Sequence, residues 1–356
     1  MLQLIASFIF SIEISGIHDV MTDTLFVSHH GDDLNKCWRR STPCRTVRHA
    51  VKMADEGDRI LIDSANGTPY LECENLTQTR YSMVLTKSVL FYGMNGKAEI
   101  RCTRRYDLFN VTSPFRNITR VQFLDLVLSN SNIGVRLDIG SRSELIFQNV
   151  IVRNNQNGIY TKYSLDCSIL IANSTFENNF PGGTRLQCLN VTAQIMASTF
   201  KLTPALFANI GHKPSRWQNM RIAVETTIVD GEKIQMCSEL FAIQPFAATL
   251  NVTVIDSQFK NHVANCKPSD KISALHIHGQ HRDNQMYSNR IFLSNLLITN
   301  NYNNWFTLAL RAGYQEFTEV RIIIKDTMFR NNSAALLVEP NCHDIHSWLM
   351  MPTIIF

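Results

Sequence analysis

Hydrophobic and polar positions along this chain repeat one pattern eight times. The segments DLVLSNS (from Asp125), NVIVRNN (Asn149), NSTFENN (Asn173), ASTFKLT (Ala197), ETTIVDG (Glu225), DSQFKNH (Asp256), NLLITNN (Asn295) and DTMFRNN (Asp326) align without gaps, their starts 24, 24, 24, 28, 31, 39 and 31 residues apart. A short period with growing insertions is the mark of a solenoid whose turns lengthen on one side. The fourth residue is apolar throughout: Leu128, Val152, Phe176, Phe200, Ile228, Phe259, Ile298 and Phe329. Alternation along a strand sends the second residue inward as well, a small or aliphatic column that includes Val150, Ser174, Ser198, Thr226 and Ser257. The sixth residue shares that parity and is mostly Asn, from Asn130 and Asn154 to Asn331, which predicts an internal asparagine ladder at a bend. The first residue faces out.

Upstream, DRILIDSANGTPY (from Asp58) and KSVLFYGMNGKAEIRC (from Lys87) have the composition of two further rungs. Before them Val47, Ala50, Val51 and Ala54 fall at i, i+3, i+4 and i+7, predicting a helix closed by Gly57. Such a helix suits the first rung of a solenoid, whose open edge and core need a cap. The pattern therefore predicts an all-β parallel solenoid over residues 58–340, preceded by a strand and capping helix within 17–57.

Composition adds a compartment. Hydrophobic residues make up 45% and charged residues 18%, enough apolar material for a continuous core. A net charge of +4 with no compact Lys/Arg run gives no reason to expect nucleic acid as a partner. The start, MLQLIASFIFSIEISG, reads as a signal peptide over residues 1–16. Sequons stand at Asn66, Asn75, Asn110, Asn117, Asn173, Asn190, Asn251 and Asn331. Parity predicts a glycan on Asn173 and none on the inward Asn331. The nine cysteines lack zinc-site spacing and read as disulfides. Nearest-neighbour pairing, one of several connectivities, joins Cys37 to Cys44, Cys73 to Cys102 and Cys167 to Cys188. An odd ninth, Cys342, expects a partner outside the chain, and residues 341–356 read as an unfinished segment of a longer protein. With no run of 18 apolar residues, membrane attachment is expected only through a region absent from this chain.

The opening FVSHHGDDLNKCWRRSTPCRTVRHAVKMADEGDRILID resembles that of right-handed parallel β-helix proteins of the pectate-lyase-like class: strand, Gly-Asp turn, capping helix, Gly-Asp, first apolar strand. With the eight units the resemblance spans roughly residues 24 to 340. The sequons, cysteines and signal-like start make the chain similar to β-helix segments of large receptor-like surface proteins of animals. Many members of the fold cleave acidic polysaccharides, but their catalytic sets do not map here. Asp32 and Asp33 lie in the cap, where they suit a turn. His278-Gly279 lacks the flanking glycine of the hydrolase pattern, and Arg321 and Lys325 enclose three isoleucines that suit a buried strand. Asp125, Asp256 and Asp326 have outward parity and suit turns. No G-x-S-x-G elbow marks a nucleophile.

One chemical cluster stands out, HIHGQHRDN. His276 and His278 share a face if this is a strand, and His281 can fold back across Gly279 toward a metal, with Asp283 orienting one ring. The competing interpretation is a solvated polar insertion, and no cofactor is expected. Tyr302, Trp305, Phe306 and Tyr314 lie among the growing insertions, where aromatics bind sugars or anchor proteins or else fill core. The expectation is a non-catalytic extracellular recognition or adhesion module for a carbohydrate or protein ligand. Its alternative is a polysaccharide-acting lyase or hydrolase.

Overall fold

The computed structural model describes residues 22–355 except 75, 77–79, 114–116, 139, 162–163, 210–218, 233–236, 245–248, 264–266, 268–271, 279–286, 303–305, 312–317, 335, 340–347 and 351–353. Every strand pairing between coils is parallel, and each coil contributes to three faces. One coil is typical. Ile133–Leu137 lies on what we term the third face, Arg142–Gln148 on the long face and Ile151–Arg153 on the short face. The next coil repeats them 24 residues on, with Ile133 opposite Asn157, Arg142 opposite Asp166 and Ile151 opposite Thr175. In the coil after that, the strand Gly182–Met196 runs across both the third and long faces. The short face is a separate sheet of eleven strands. The architecture is an all-β parallel β-helix, as the repeat predicts.

The core is a stack of columns. On the long face Ile60, Phe91, Phe123, Phe147, Ile171, Ile195, Val224, Val254, Leu293 and Ile324 follow one another in register. Phe123 stacks on Phe91 at 5.3 Å and on Phe147 at 5.1 Å, with Phe109 of the third face 5.1 Å away. The short face adds Phe176 on Phe200 at 4.9 Å. Identical environments one rung apart favour identical rings, because each then covers the face of the next.

Buried hydroxyls form a second column, at the second unit position. Ser174 Oγ accepts from Val150 N and Ser198 Oγ from Ser174 N, each at 3.1 Å, while the same hydroxyls donate to Ala172 O and Met196 O. A small residue there satisfies the backbone of the long-to-short corner, which otherwise has no ladder partner.

Two details of the sequence reading are corrected. The unit read as ETTIVDG is out of register by one. Phe200 pairs with Val229, and it is Thr227 and Val229 that are buried, while Thr226 is exposed and Ile228 half-buried. Paired threonines followed by paired aliphatics leave the alternation ambiguous, and only strand pairing resolves it.

The second correction concerns the sixth position, which does not point inward. Asn130, Asn154, Asn178, Leu202, Asn261, Asn300 and Asn331 all have left-handed φ between 51° and 59°, at the short-to-third corner. Asn tolerates that conformation better than other side chains, which explains the column. The left-handed residue breaks the alternation, so the seventh residue turns inward instead: Ser131, Asn155, Asn179, Thr203, His262 and Asn301 are buried. There the internal ladder does exist. Asn179 Nδ2 donates to Val152 O at 2.8 Å, and Asn179 Oδ1 accepts from Asn155 N and Nδ2 at 3.1 and 2.9 Å. The sixth column forms an outer ladder, Asn178 to Asn154 at 2.9 Å and Asn331 to Asn300 at 2.9 Å.

Asn331 is therefore exposed, as is Asn173, and the expectation of a bare Asn331 is withdrawn. Asn66, Asn117 and Asn251 are also exposed, Asn190 is half-buried, Asn110 is buried, and Asn75 lies outside the described residues. Peptide mapping of the protein produced through the secretory route of a eukaryotic host is expected to find glycan on Asn173 and Asn331 and none on Asn110. Occupancy of Asn110 in folded protein would contradict the placement of its strand.

The N-terminal cap fits its sequence with one change. The helix spans Val47–Met53 with Val47 and Ala50 buried and Thr46 as N-cap, and it ends four residues before Gly57, which instead takes a left-handed turn at φ 87°. Two carboxylates hold the helix start. Asp33 accepts from Arg45 N and Thr46 N at 2.9 Å, and Glu72 from Val47 N and Arg48 N at 2.7 and 3.0 Å. Burial raises the Glu72 carboxyl above the usual range despite those bonds. Asp32 makes the expected turn, accepting from Leu34 N at 3.0 Å. Asp125, Asp256 and Asp326 occupy left-handed corners, and Ile322 and Ile324 lie buried between Arg321 and Lys325.

The three nearest-neighbour disulfides, Cys37–Cys44, Cys73–Cys102 and Cys167–Cys188, are all present, and Cys237 is disulfide-bonded as well. Cys342 lies outside the described residues. Glu99 is a buried charge on the short face. Burial works against its ionisation, but the Ser129 hydroxyl at 2.6 Å, Arg101 and Arg153 outweigh it and hold the carboxyl below its ordinary range. A folded pKa below the unfolded one means that this stabilisation is full above the unfolded carboxylate range and fades as pH falls through the folded value. Acid unfolding followed by circular dichroism is expected to begin at higher pH in wild type than its neutral-pH stability alone predicts, and Glu99→Gln is expected to flatten that acid limb while lowering stability at neutral pH.

Candidate functional site

Sequence inspection of the repeat did not reveal the third face, because its strands carry no fixed motif. Outward positions on it stack in register as Val84, Asn110, Arg136, Tyr160 and Arg185, and further along as Ala242, His276 and Ala309. Described loops adjoin this face at residues 237–240 and 272–274, where the repeat interval has grown. In chain order the insertions fall on both sides of the third-face strands, rather than at one corner.

The upper part of the column is cationic and aromatic. Arg136 packs its guanidinium 5.2 Å from the Tyr160 ring centroid, and Arg185 approaches the same ring at 5.8 Å. Asp107, with no exposed side-chain surface, anchors the set. It accepts from Arg136 Nε at 2.7 Å and from Asn132 Nδ2 at 2.5 Å, with Arg80 3.6 Å away. A buried acid fixing one arginine over a tyrosine makes a rigid platform of the kind that stacks on planar or ring-shaped ligands.

Three to four rungs on lies the histidine cluster. His276 and His278 belong to the strand Leu275–His278 and share its outward side, as the two-residue spacing predicts. Their rings are stacked at 5.7 Å with planes 12° apart, and both are nearly buried, so the solvated-insertion interpretation fails for them. His281 and Asp283 lie outside the described residues. The orienting carboxylate is one that sequence reasoning missed, Glu239, whose Oε1 lies 2.5 Å from His276 Nδ1. Glu239 sits 37 residues upstream, just before the strand Phe241–Gln244 of the preceding coil, and only the coil geometry brings it here. Among the described residues the histidines do not form a metal-ligating group; the three-ligand cluster is Cys37, Cys44 and His49, whose cysteines are joined in a disulfide.

If Nδ1 carries the proton toward the carboxylate, the lone pair falls on Nε2, the arrangement that orients a histidine for proton transfer. Nε2 itself is buried, so a substrate reaches it only where the neighbouring side chains move aside. His278 pairs in register with Arg311 of the next coil, so an arginine occupies the adjacent backbone position. Asp107 precedes Glu239 by five rungs, about 24 Å at ~4.8 Å per rung, so these two carboxylates do not act together. Of the aromatics singled out in the insertions, Tyr302 is exposed and Phe306 half-buried, while Trp305 and Tyr314 lie outside the described residues.

No protein-family model matches the chain, and none of the curated proteins does. Solved structures do. A rhamnogalacturonan lyase aligns at 10% identity and TM-score 0.43, covering 92% of this chain and 84% of that one. A lacto-N-biosidase from Eubacterium ramulus aligns at 10% and 0.41, over 94% of this chain and 67% of that one, and the catalytic domain of an α-1,3-glucanase in complex with nigerose at 10% and 0.40, over 96% and 69%. These likenesses concern the fold alone.

Proposed function

We propose that the protein acts on a polysaccharide laid along the third face, with His276 as its acid–base group and Glu239 as the residue that positions it. The observation that carries this is the Glu239–His276 contact on the outward side of a solenoid strand. One imidazole base, with Arg311 opposite the neighbouring His278 in the register of the next coil, suits β-elimination at a uronic acid. The imidazole takes the proton beside the carboxylate, the C–H electron pair becomes the C=C bond, the C–O bond to the next sugar breaks, and the departing oxygen is protonated. Glycoside hydrolysis ordinarily needs two carboxylates flanking one bond, whereas the carboxylate placed against the imidazole among the described residues is Glu239. The accessible sequons support the same face. Asn117, Asn190 and Asn251 belong to the long face or its approach, and Asn66, Asn173 and Asn331 to turns and corners, whereas among the described residues the third face holds only the buried Asn110.

Three disulfides indicate an oxidising environment, and among the described residues no helix is long and apolar enough to cross a membrane. We take the site of action to be extracellular.

Recognition without catalysis is the second reading, favoured by the Arg136–Tyr160–Arg185 platform, which binds without any need for the histidines. Incubation with uronate-containing polysaccharides, read by NMR for unsaturated chain ends and by calorimetry for binding, separates the two. Product formation supports catalysis. Binding that is lost in Tyr160→Ala, with no product from wild type, supports recognition alone, and neither binding nor product overturns both.

A further inference from the structure

We propose that the disulfide-closed loop at the N-terminal end of the stack docks on an anionic phospholipid surface. This loop, residues 32–45, covers the outer edge of the first strand, Thr24–Val27. Phe26 N donates to Cys37 O and Cys44 N to Phe26 O, each at 2.8 Å, while Val27 pairs with Cys44 on one side and with Ile62 on the other. The loop therefore lies at the end of the solenoid, away from the third-face cluster.

Its composition at the surface is unusual for a mere edge cover. Leu34 is 92% exposed and Trp38 52% exposed. Lys36, Arg39, Arg40 and Arg45 are all exposed, and among the described residues no carboxylate pairs with any of them. The two acids in the loop are engaged by backbone instead, Asp32 by Leu34 N and Asp33 by Arg45 N and Thr46 N. Lys36 Nζ lies 5.3 Å from the Trp38 ring centroid, which puts a cation beside the indole.

The tip is also rigid. The Cys37–Cys44 disulfide, an antiparallel bridge between Arg39 and Thr42, and the Asn35 Nδ2 to Pro43 O bond at 2.9 Å hold it. A preorganised tip spends little ordering entropy on binding. An exposed leucine and tryptophan, in one short loop with four cations that pair with no described carboxylate, match a bilayer interface: the aliphatic chain enters the acyl boundary, indole sits at headgroup level, and Lys and Arg meet the phosphates. A soluble polyanion would engage the cations and leave Leu34 in water, so the membrane accounts for more of the surface.

The test is flotation of the full chain with phosphatidylcholine vesicles, with and without phosphatidylserine. Binding is expected only with phosphatidylserine and is expected to weaken as salt rises. The double substitutions Arg39→Glu with Arg40→Glu, and Leu34→Ser with Trp38→Ser, are each expected to weaken it by about tenfold or more, with thermal melts unchanged because all four side chains are on the surface. Brominated acyl chains are expected to quench wild-type tryptophan fluorescence, and Trp38→Leu to abolish that quenching. No binding to phosphatidylserine vesicles overturns the proposal. So does binding that needs the arginines but is indifferent to Leu34 and Trp38, which instead indicates a soluble polyanion such as heparin.

Discussion

His276→Gln is expected to lower turnover of a cleaved polysaccharide by roughly 10²–10⁴-fold while leaving its affinity near that of wild type. Glutamine keeps an uncharged polar side chain of similar length on the strand Leu275–His278 while the proton acceptor is removed. Glu239→Gln is expected to give a smaller loss of kcat, because the imidazole stays in place and loses only the charge that favours one orientation and tautomer. Tyr160→Ala, four rungs away in the same column, is expected to raise KM and leave kcat nearly unchanged. The pattern matters more than any one value. If His276→Gln turned over as wild type does, the assignment of that residue would be wrong even where the third face still bound the chain.

The largest structural effect is expected for Phe123→Ala, a loss of roughly 3–5 kcal/mol. Phe123 is fully buried, pairs in register with Phe91 and Phe147, and touches a third ring, Phe109. Truncation removes the transfer energy of one ring and uncovers the faces of three others. The parallel strands above and below cannot close the gap without breaking register. Urea unfolding followed by circular dichroism gives the change in stability, and hydrogen exchange gives its spread. In a repeat array each coil contacts chiefly its neighbours, so exchange is expected to rise over the coils carrying Phe91, Phe123 and Phe147 before it rises elsewhere. A loss below about 1 kcal/mol would show that the aromatic column is not tightly packed. Asn179→Ala sharpens the same point with a polar side chain. Its loss strands Asn155 N and Val152 O, whereas Asn178→Ala on the outer ladder strands groups already near water.

Asn178 and Asn179 also show where sequence reasoning stops. The repeat, its period, the apolar column and the presence of a capping helix are all legible, because burial of one side of a strand must leave its trace at every second position. The pairing of Cys37 with Cys44, Cys73 with Cys102 and Cys167 with Cys188 follows the order of the chain, and the shared side of His276 and His278 follows from their spacing. Strand periodicity, though, is a statement about strands. At the sixth unit position the backbone leaves the extended region, and from there parity predicts the wrong neighbour. The Asn column is a conformational preference for left-handed φ, and the buried ladder stands one residue later.

Glu239 was invisible for a different reason. It lies in no repeat, occupies a variable interval, and meets His276 across 37 residues of chain only because one coil is laid upon the next. The sequence by itself determined the solenoid and its apolar core, both of which arise from local alternation repeated many times. Only the tertiary structure decided which face carries chemistry, because a site built from single residues on separate coils leaves no period to read. Its members become neighbours through the stacking of parallel strands, and that stacking sets which coil-to-coil pairs meet.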